Sequence, residues 1–458
     1  MTERFEIVEK ALLTMLEEKK YTALREILTT MNPVDIASLF SELQDQKITL
    51  LFRLLPKELA AETFVEMEPE EQELLIRGFS DNELKEVLDE LYVDDAADLV
   101  EEMPANVVRR ILRQADPQMR LSINQILRYP ENSAGSMMTT EYVSLRPDMT
   151  VEESILRIRR QGVDKETIYT CYVTKDRTLI GLATVKDLLL ADDDNRLVED
   201  IMSTNVIYVT THTDQEEVAR MFTKYNFLAL PVVDRENRMV GIITFDDAMD
   251  VIEEETTEDI ELMGGILPSE KTYLRSGIWE LFKSRIPWLM LLMVSATFTG
   301  MIISSFEEAL AAQVALTAFI PMLMGTGGNA GSQSSVTVIR ALSLDELKFA
   351  DLPRVLWKEI RTSVLCGVAL SLVCFVKIWL VDRMLLGNTQ ITLLMDGAVC
   401  LALLVTVVAA KVVGAILPMI AKRVKLDPAV MASPFITTIV DALSLLVYFL
   451  FAKMLLKL

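Results

Sequence analysis

The chain has 458 residues, is 51% hydrophobic and carries a formal net charge of −22; its length suits about three domains. Residues 271–458 hold 17 Lys/Arg against 11 Asp/Glu, a net of +6, so residues 1–270 carry a net of −28. A soluble acidic half therefore precedes a membrane half, a sign that excludes nucleic acid as a partner and docking onto anionic lipid, and that attracts cations.

The N-terminus, MTERFEIVEK, has no apolar core of the signal-peptide kind, so the acidic half is expected to stay in the cytosol. Residues 1–130 read as helices only. Apolar residues recur at helical spacing (Leu39, Phe40, Leu43; Leu50, Leu51, Leu54), with punctuation at Pro33, Pro56, Pro69, Pro104 and Pro117. The segments DIASLFSEL, ELAAETFVEM and DAADLVEEMP resemble one another and suggest stacked helical hairpins, a small solenoid.

After the turn-rich linker ENSAGSMMT (131–139) the period changes to alternating β-branched strands followed by acidic helices. The region repeats itself: MMTTEYVSLRPDMTVEES matches IMSTNVIYVTTHTDQEEV, and LIGLATVKDLL matches MVGIITFDDAM. Two tandem β-α-β-β-α modules fit. The doubled strand-Gly-strand-[ST]-x-x-D pattern, as Thr184 to Asp187 and Thr244 to Asp247, resembles a cystathionine-β-synthase-type (CBS) domain pair. The resemblance implies adenine-nucleotide binding, with ATP as the candidate ligand. Thr184, Asp187, Thr244 and Asp247 would hold ribose, with Tyr169, Phe227, Leu228 and Pro231 around them. By itself the same pair makes a helix N-cap.

Five apolar runs follow: Ile286–Ser305, Ala309–Ile339, Thr362–Val381, Gly397–Ala421 and Ala429–Ala452. Each is long enough to cross a hydrocarbon core, which takes ~20 residues. Lys and Arg crowd the approach to the first run and the loops 2–3 and 4–5. That places the N-terminus inside, the C-terminus outside and five spans across a plasma membrane.

Asp441 is the lone carboxylate of the last run, and an ionised carboxylate in hydrocarbon is costly enough to imply a use. Thr437, Asp441 and Ser444 fall at i, i+4, i+7 on one helical face. In the second run Thr326, Asn329, Gln333 and Thr337 form a stripe interleaved with Gly325, Gly327, Gly328 and Gly331. Such glycines suit close helix packing or carbonyls facing a cavity. A lysine partner for Asp441, Lys377 or Lys411, is the competing reading. Carboxylate, amide, hydroxyl and carbonyl oxygens suit Mg²⁺, Ca²⁺ or Mn²⁺. The single histidine, His212, and four scattered cysteines leave nothing for a zinc site or a catalytic triad.

ENSAG-x-MMT, TEDIE (257–261) and above all PMLMGTGGNAGSQSS-x-x-x-x-RAL (321–342) resemble the MgtE family of magnesium channels over nearly the whole chain. The resemblance implies a helical N domain (1–130), an α/β CBS pair (131–252), a connecting plug helix (253–277) and a five-span bundle (278–458). It also implies a homodimer with its pore between spans two and five, lined by Asp441, Asn329, Gly325, Thr437 and Gln333, that passes Mg²⁺ and in some members Mn²⁺ or Co²⁺. Clustered acids are expected to bind regulatory Mg²⁺ and close the pore: Asp94, Asp95 and Asp98; Glu216 and Glu217; Asp246, Asp247 and Asp250; Glu254, Glu255, Glu258 and Asp259. Competing classes are a nucleotide-regulated transporter of another solute, disfavoured for chloride by the negative pore charge, and a membrane-anchored metal sensor. The sensor reading is disfavoured by polar glycine-rich spans that an anchor does not need. An intramembrane enzyme lacks a nucleophile, a base and metal ligands.

Overall fold

The computed structural model describes residues 11–16, 18–269, 273, 276–385, 391–431 and 433–456. The chain forms two compact units, Met1–Ile252 and Glu253–Leu458.

The first unit begins, among the described residues, with nine short helices after residue 20: α1 (Tyr21–Leu28), α2 (Pro33–Ser41), α3 (Asp45–Phe52), α4 (Lys57–Val65), α5 (Pro69–Gly78), α6 (Asp81–Leu88), α7 (Val93–Glu102), α8 (Ala105–Gln114) and α9 (Pro117–Ile126). Proline sets the boundaries. Pro33, Pro69 and Pro117 open helices where a missing N–H costs nothing, and Pro56 and Pro104 stand at N-caps. Helices this short are marginal alone, so their buried faces decide the fold. α2 packs on α4, α3 on α5, α4 on α6, α6 on α8 and α7 on α9. This is the stacking that the repeated segments lead one to expect. One apolar core runs through the stack, including Leu24, Phe40, Phe64, Leu75 and Ile111, with Phe52 set edge-on to Phe64 at 6.2 Å.

The two β modules have the same topology. In the first, β1 (Tyr142–Leu145) pairs parallel with β2 (Thr167–Lys175), which pairs antiparallel with β3 (Thr178–Thr184). α10 (Val151–Gln161) crosses between β1 and β2, and α11 (Val185–Leu189) and α12 (Val198–Ile201) follow β3. In the second, β4 (Val209–Thr210), β5 (Ala229–Val233) and β6 (Met239–Thr244) repeat the order, with α13 (Gln215–Tyr225) as the crossover. Gly181 and Gly241, 60 residues apart, serve one purpose. A Cβ at Gly181 would meet Met202 Sδ at 2.6 Å, and one at Gly241 would meet the Thr139 carbonyl at 2.6 Å. At each glycine the chain entering the other module crosses close over the sheet, bridging Thr139 to Ile242 and Ser203 to Leu182.

α14 (Phe245–Met263) begins in the first unit and ends in the second. Of the segment 253–277 expected to be a connecting helix, the described residues are helical as far as Met263. Gly265 then takes a left-handed φ of +69°, with Ile266 N–H donating to Glu261 O at 2.9 Å. Glycine accepts that conformation without a Cβ clash and so stops the helix.

The second unit is helical: α15 (Ile278–Ser305), α16 (Glu307–Ala312), α17 (Ile320–Ser343), α18 (Leu352–Lys377), α19 (Leu393–Arg423) and α20 (Ser433–Leu456). α19 is the centre, packed by α17, α18 and α20, and α15 lies on α20. Among the described residues four stretches are long and apolar enough to cross a membrane: Ile278–Ser305, Phe349–Leu385, Leu393–Arg423 and Pro428–Leu456. The second of the five expected runs, Ala309–Ile339, is divided: it begins in α16, passes through a 3-10 turn (Val314–Phe319) and continues as α17, which is less apolar because glycine, serine and asparagine replace aliphatic residues along it.

Candidate cation sites

α17 and α20 meet through glycine. Pro321 sits in the first turn of α17, and Gly327, Gly328 and Gly331 are buried on one of its faces together with Ser334 and Ser335. A Cβ at Gly328 would stand 3.2 Å from Thr437 Cγ2 and 3.8 Å from Asp441 Oδ1, and one at Gly327 would meet Ser444 Oγ at 2.6 Å. Thr437, Asp441 and Ser444 therefore all turn towards the glycine face, as their i, i+4, i+7 spacing leads one to expect. The Thr437 and Thr438 hydroxyls donate to the Pro434 carbonyl at 2.9 and 3.1 Å, and Ser444 donates to Val440 O at 2.6 Å. Their protons spent on the backbone, these hydroxyls present only lone pairs.

Asp441 is half-buried and has no hydrogen bond or ion pair among the described residues. The lysine reading fails for Lys377, which pairs with Asp382 at 2.7 Å. Lys411 is buried in α19 and likewise makes no ion pair among the described residues. The polar stripe of α17 divides. Gly325, Asn329, Gln333 and Thr337 lie on its exposed side, Thr326 is half-buried, and Gly328 is the glycine beside Asp441. The sequence pattern did not single out Thr406 on α19, whose methyl presses towards Gly327 and whose Oγ1 is buried without a partner. A threonine inside an apolar run is too common a signal to find it.

A second group of acids assembles within the first unit. α7 brings Asp94, Asp95 and Asp98 to the start of α14, where Asp246, Asp247 and Asp250 stand. Asp95, Asp98, Asp247 and Asp250 line one cavity of about 250 Å³ with Glu102 and an apolar wall that includes Phe64 and Leu99. Burial, with Asp247 next, raises the Asp95 carboxyl to about 7, and burial with Asp95 and Asp247 raises Glu166 to about 8. Burial raises Asp247 to about 6 against the Thr244 hydroxyl that stabilises its anion. Asp98 is raised to about 8 by burial and Asp247, although its exposed edge lets water screen part of that effect. Asp94 is buried and pushed upward by the same causes. Crowded like charges without counter-cations thus bind protons more tightly than free carboxylates do.

The sequence reading missed Glu166, Glu141 and Glu66 here. Glu66 is raised by burial and then by Asp250 and Asp246, and no local pattern announces that distant carboxylates converge. Glu216 and Glu217 do not join the group; they occupy the first turn of α13, where Glu216 pairs with Arg220 at 3.0 Å.

In the second unit, Glu255, Glu258 and Asp259 follow on α14, with Glu254 exposed beside them. Burial, then Glu255 and Asp427, raises Glu258, and burial with Asp427 raises Asp259. Asp427, in the turn before α20, was also not foreseen.

Hard oxygen donors in both acidic groups suit Mg²⁺. The buried Asp94 Oδ1 and Glu166 Oε2, which have no hydrogen-bond partner, fit an ion that would supply the missing positive charge. Among the described residues no three His, Cys, Asp or Glu already stand in metal-holding array, as carboxylates that repel one another would not.

Both T-x-x-D motifs are helix caps. Thr184 N–H donates to Asp187 Oδ2 at 3.0 Å and Asp187 N–H returns to Thr184 Oγ1 at 3.1 Å. Thr244 N–H donates to Asp247 Oδ2 at 3.3 Å, and its hydroxyl donates to the same oxygen. Register places exposed Tyr169 beside Thr184 and exposed Leu228 beside Thr244, since Thr170 opposes Thr184 and Ala229 opposes Thr244. Phe227 stacks on Tyr225 at 5.3 Å, and Pro231 is buried in β5. The two motifs differ in company: Asp187 is exposed, whereas Asp247 belongs to the acidic group.

Residues 320–451 match the MgtE family of divalent cation transporters, residues 31–132 the MgtE intracellular N domain, and residues 134–194 and 198–254 the CBS domain. The magnesium transporter MgtE of Thermus thermophilus is 39% identical over 447 residues, covering 96% of this chain and 97% of that protein. The protein of the same name from Bacillus subtilis is 33% identical over 96% of this chain and 95% of its own length. Among solved structures, the cytosolic domain of the Mg²⁺ channel MgtE in complex with ATP aligns with a TM-score of 0.51 at 41% identity, covering 53% of this chain and 99% of that one. The soluble part of a magnesium transporter aligns with the same TM-score at 29% identity, covering 55% and 99%.

Proposed function

This chain belongs to the MgtE family of magnesium transporters, membrane proteins rather than enzymes, and on that premise we propose that it is a Mg²⁺ channel that takes up the ion and is closed by Mg²⁺ at its cytosolic acids. One observation carries the reading: Asp441, the lone carboxylate of its span, faces the glycine side of α17 and forms no ion pair among the described residues. A single carboxylate with hydroxyl and carbonyl oxygens suits an ion that keeps most of its waters. In a homodimer, two Asp441 side chains would match the divalent charge, and the exposed Gly325, Asn329 and Gln333 of α17 would line the route between protomers. In this reading α17 is the second of five spans, and the C-terminus lies outside. Mn²⁺ and Co²⁺ are secondary cargo.

The cytosolic acids supply the regulation. Mg²⁺ held between α7 and α14 would neutralise carboxylates that otherwise repel, and the closed arrangement would gain what the ions contribute. Residues 253–277 would carry that state to the pore as a plug, and ATP at Asp187 would adjust the response. Asp441→Asn tests the central claim. In liposomes it abolishes Mg²⁺ flux while the dimer still assembles; undiminished flux would sink the proposal.

A further inference from the structure

The first CBS module holds a cavity that the T-x-x-D residues do not line. It encloses about 430 Å³ between Tyr142, Ser144, Arg157, Arg160, Gln161 and Lys165. Three of these six are cations and none is an acid, in a half of the chain whose net charge is −28. None of the three cations enters an ion pair among the described residues. The acids of the same helix are held at its other end, where Glu153 closes a capping box with Thr150.

The wall is rich in donors. Arg157 and Arg160 lie on the last two turns of α10, and Lys165 faces them from the segment leading into β2. The Nε of Arg157 is buried with no hydrogen-bond acceptor, a donor stripped of water and given nothing in exchange. The neutral groups do not fill the need: the Tyr142 hydroxyl turns to Met239 O at 3.5 Å, and Ser144 Oγ shares a hydrogen bond with Thr174 at 2.9 Å.

We propose that this cavity binds a compact anion bearing two or more phosphate groups. Two guanidinium forks and an ammonium offer the directional, charge-assisted donors that phosphate oxygens take. At about 430 Å³ the cavity holds more than a single small anion fills, and it is within the range of ~300–1,000 Å³ typical of small-ligand sites. The surrounding negative charge repels an extended polyanion.

The probe is inorganic pyrophosphate, titrated calorimetrically into the purified full-length chain in magnesium-free buffer. Pyrophosphate binds the parent. Arg160→Gln, on an exposed residue that leaves thermal melting unchanged, weakens binding about tenfold or more, the worth of one charge-assisted contact. Arg157→Gln with Arg160→Gln removes it, and Lys165→Gln repeats the loss should that double variant fail to fold. Asp187→Ala leaves the pyrophosphate isotherm unchanged, and so does saturating adenosine, which separates a free phosphorylated anion from the tail of a nucleotide at the ribose site. Absence of pyrophosphate binding to the parent, equal affinity in the arginine variants, or loss of binding through Asp187→Ala or adenosine would each overturn the proposal.

Discussion

Asp247, at the start of α14, bears on Asp95, in the first turn of α7, strongly enough to help raise the Asp95 carboxyl to about 7. The two residues are 152 positions apart in sequence, yet they share one cavity wall. The fold has set acids of the helical stack against acids of the second β module, a crowding of like charge that protons or cations relieve.

The pH dependence follows from the sign of the shifts. Asp95, Asp98, Glu166 and Asp247 have raised values, about 7, 8, 8 and 6, in the folded chain. The native state therefore binds more protons than the unfolded state, and stability falls as pH rises through those values. In magnesium-free buffer the unfolding midpoint of the cytosolic half should drop between pH 6 and pH 8.5, by on the order of 5 °C. Millimolar Mg²⁺ should restore it at the upper end. A midpoint flat across that window argues that these acids are already paired.

Neutralising Asp95, Asp247, Asp250 and Glu258 together should free the channel from Mg²⁺. A nearly complete switch needs about 5.5 kcal/mol of differential binding, which several bridging ions of ~1–2 kcal/mol each can supply. In patch recordings the parent closes at millimolar internal Mg²⁺ and the quadruple variant stays open. Closure of both at one concentration would reduce the acids to a solvated surface.

Gly328→Val places methyl groups against Thr437 and Asp441, where even a bare Cβ stands 3.2 Å from Thr437. Overpacking should cost about 1–3 kcal/mol and flux should fall at least tenfold. Gly325→Ala meets nothing within 4 Å, so it leaves melting unchanged. Reduced Mg²⁺ flux in that variant would place Gly325 on the conduction route.

The exposed Asp187 and the engaged Asp247 should separate in a nucleotide assay. Asp187→Ala should weaken ATP binding about tenfold, the scale of one lost charge-assisted hydrogen-bond pair, and cost about 1 kcal/mol of helix capping. Asp247→Asn should change the Mg²⁺ dependence of closure more than ATP affinity. Equal losses of ATP affinity in both calorimetric titrations would show that the motifs act alike.

The amino-acid sequence by itself determined what depends on local order. Proline spacing laid out the short helices, the doubled strand-Gly-strand pattern gave the tandem modules with Gly181 and Gly241 in equivalent places, and helical spacing put Thr437, Asp441 and Ser444 on one face. These are short-range properties, settled by backbone sterics and the 3.6 and 2.0 periods. Only the tertiary structure decided which acids meet. Asp94, Asp95 and Asp98 join Asp246, Asp247 and Asp250, and Glu166 and Glu66 enter with them, while Glu216 turns to Arg220 and Asp427 comes up to Asp259. It also split α17, setting Gly328 beside Asp441 and leaving Gly325, Asn329 and Gln333 exposed. The reason is physical: Coulomb interaction and desolvation depend on distance and burial in space, and a run of carboxylates in sequence fixes neither.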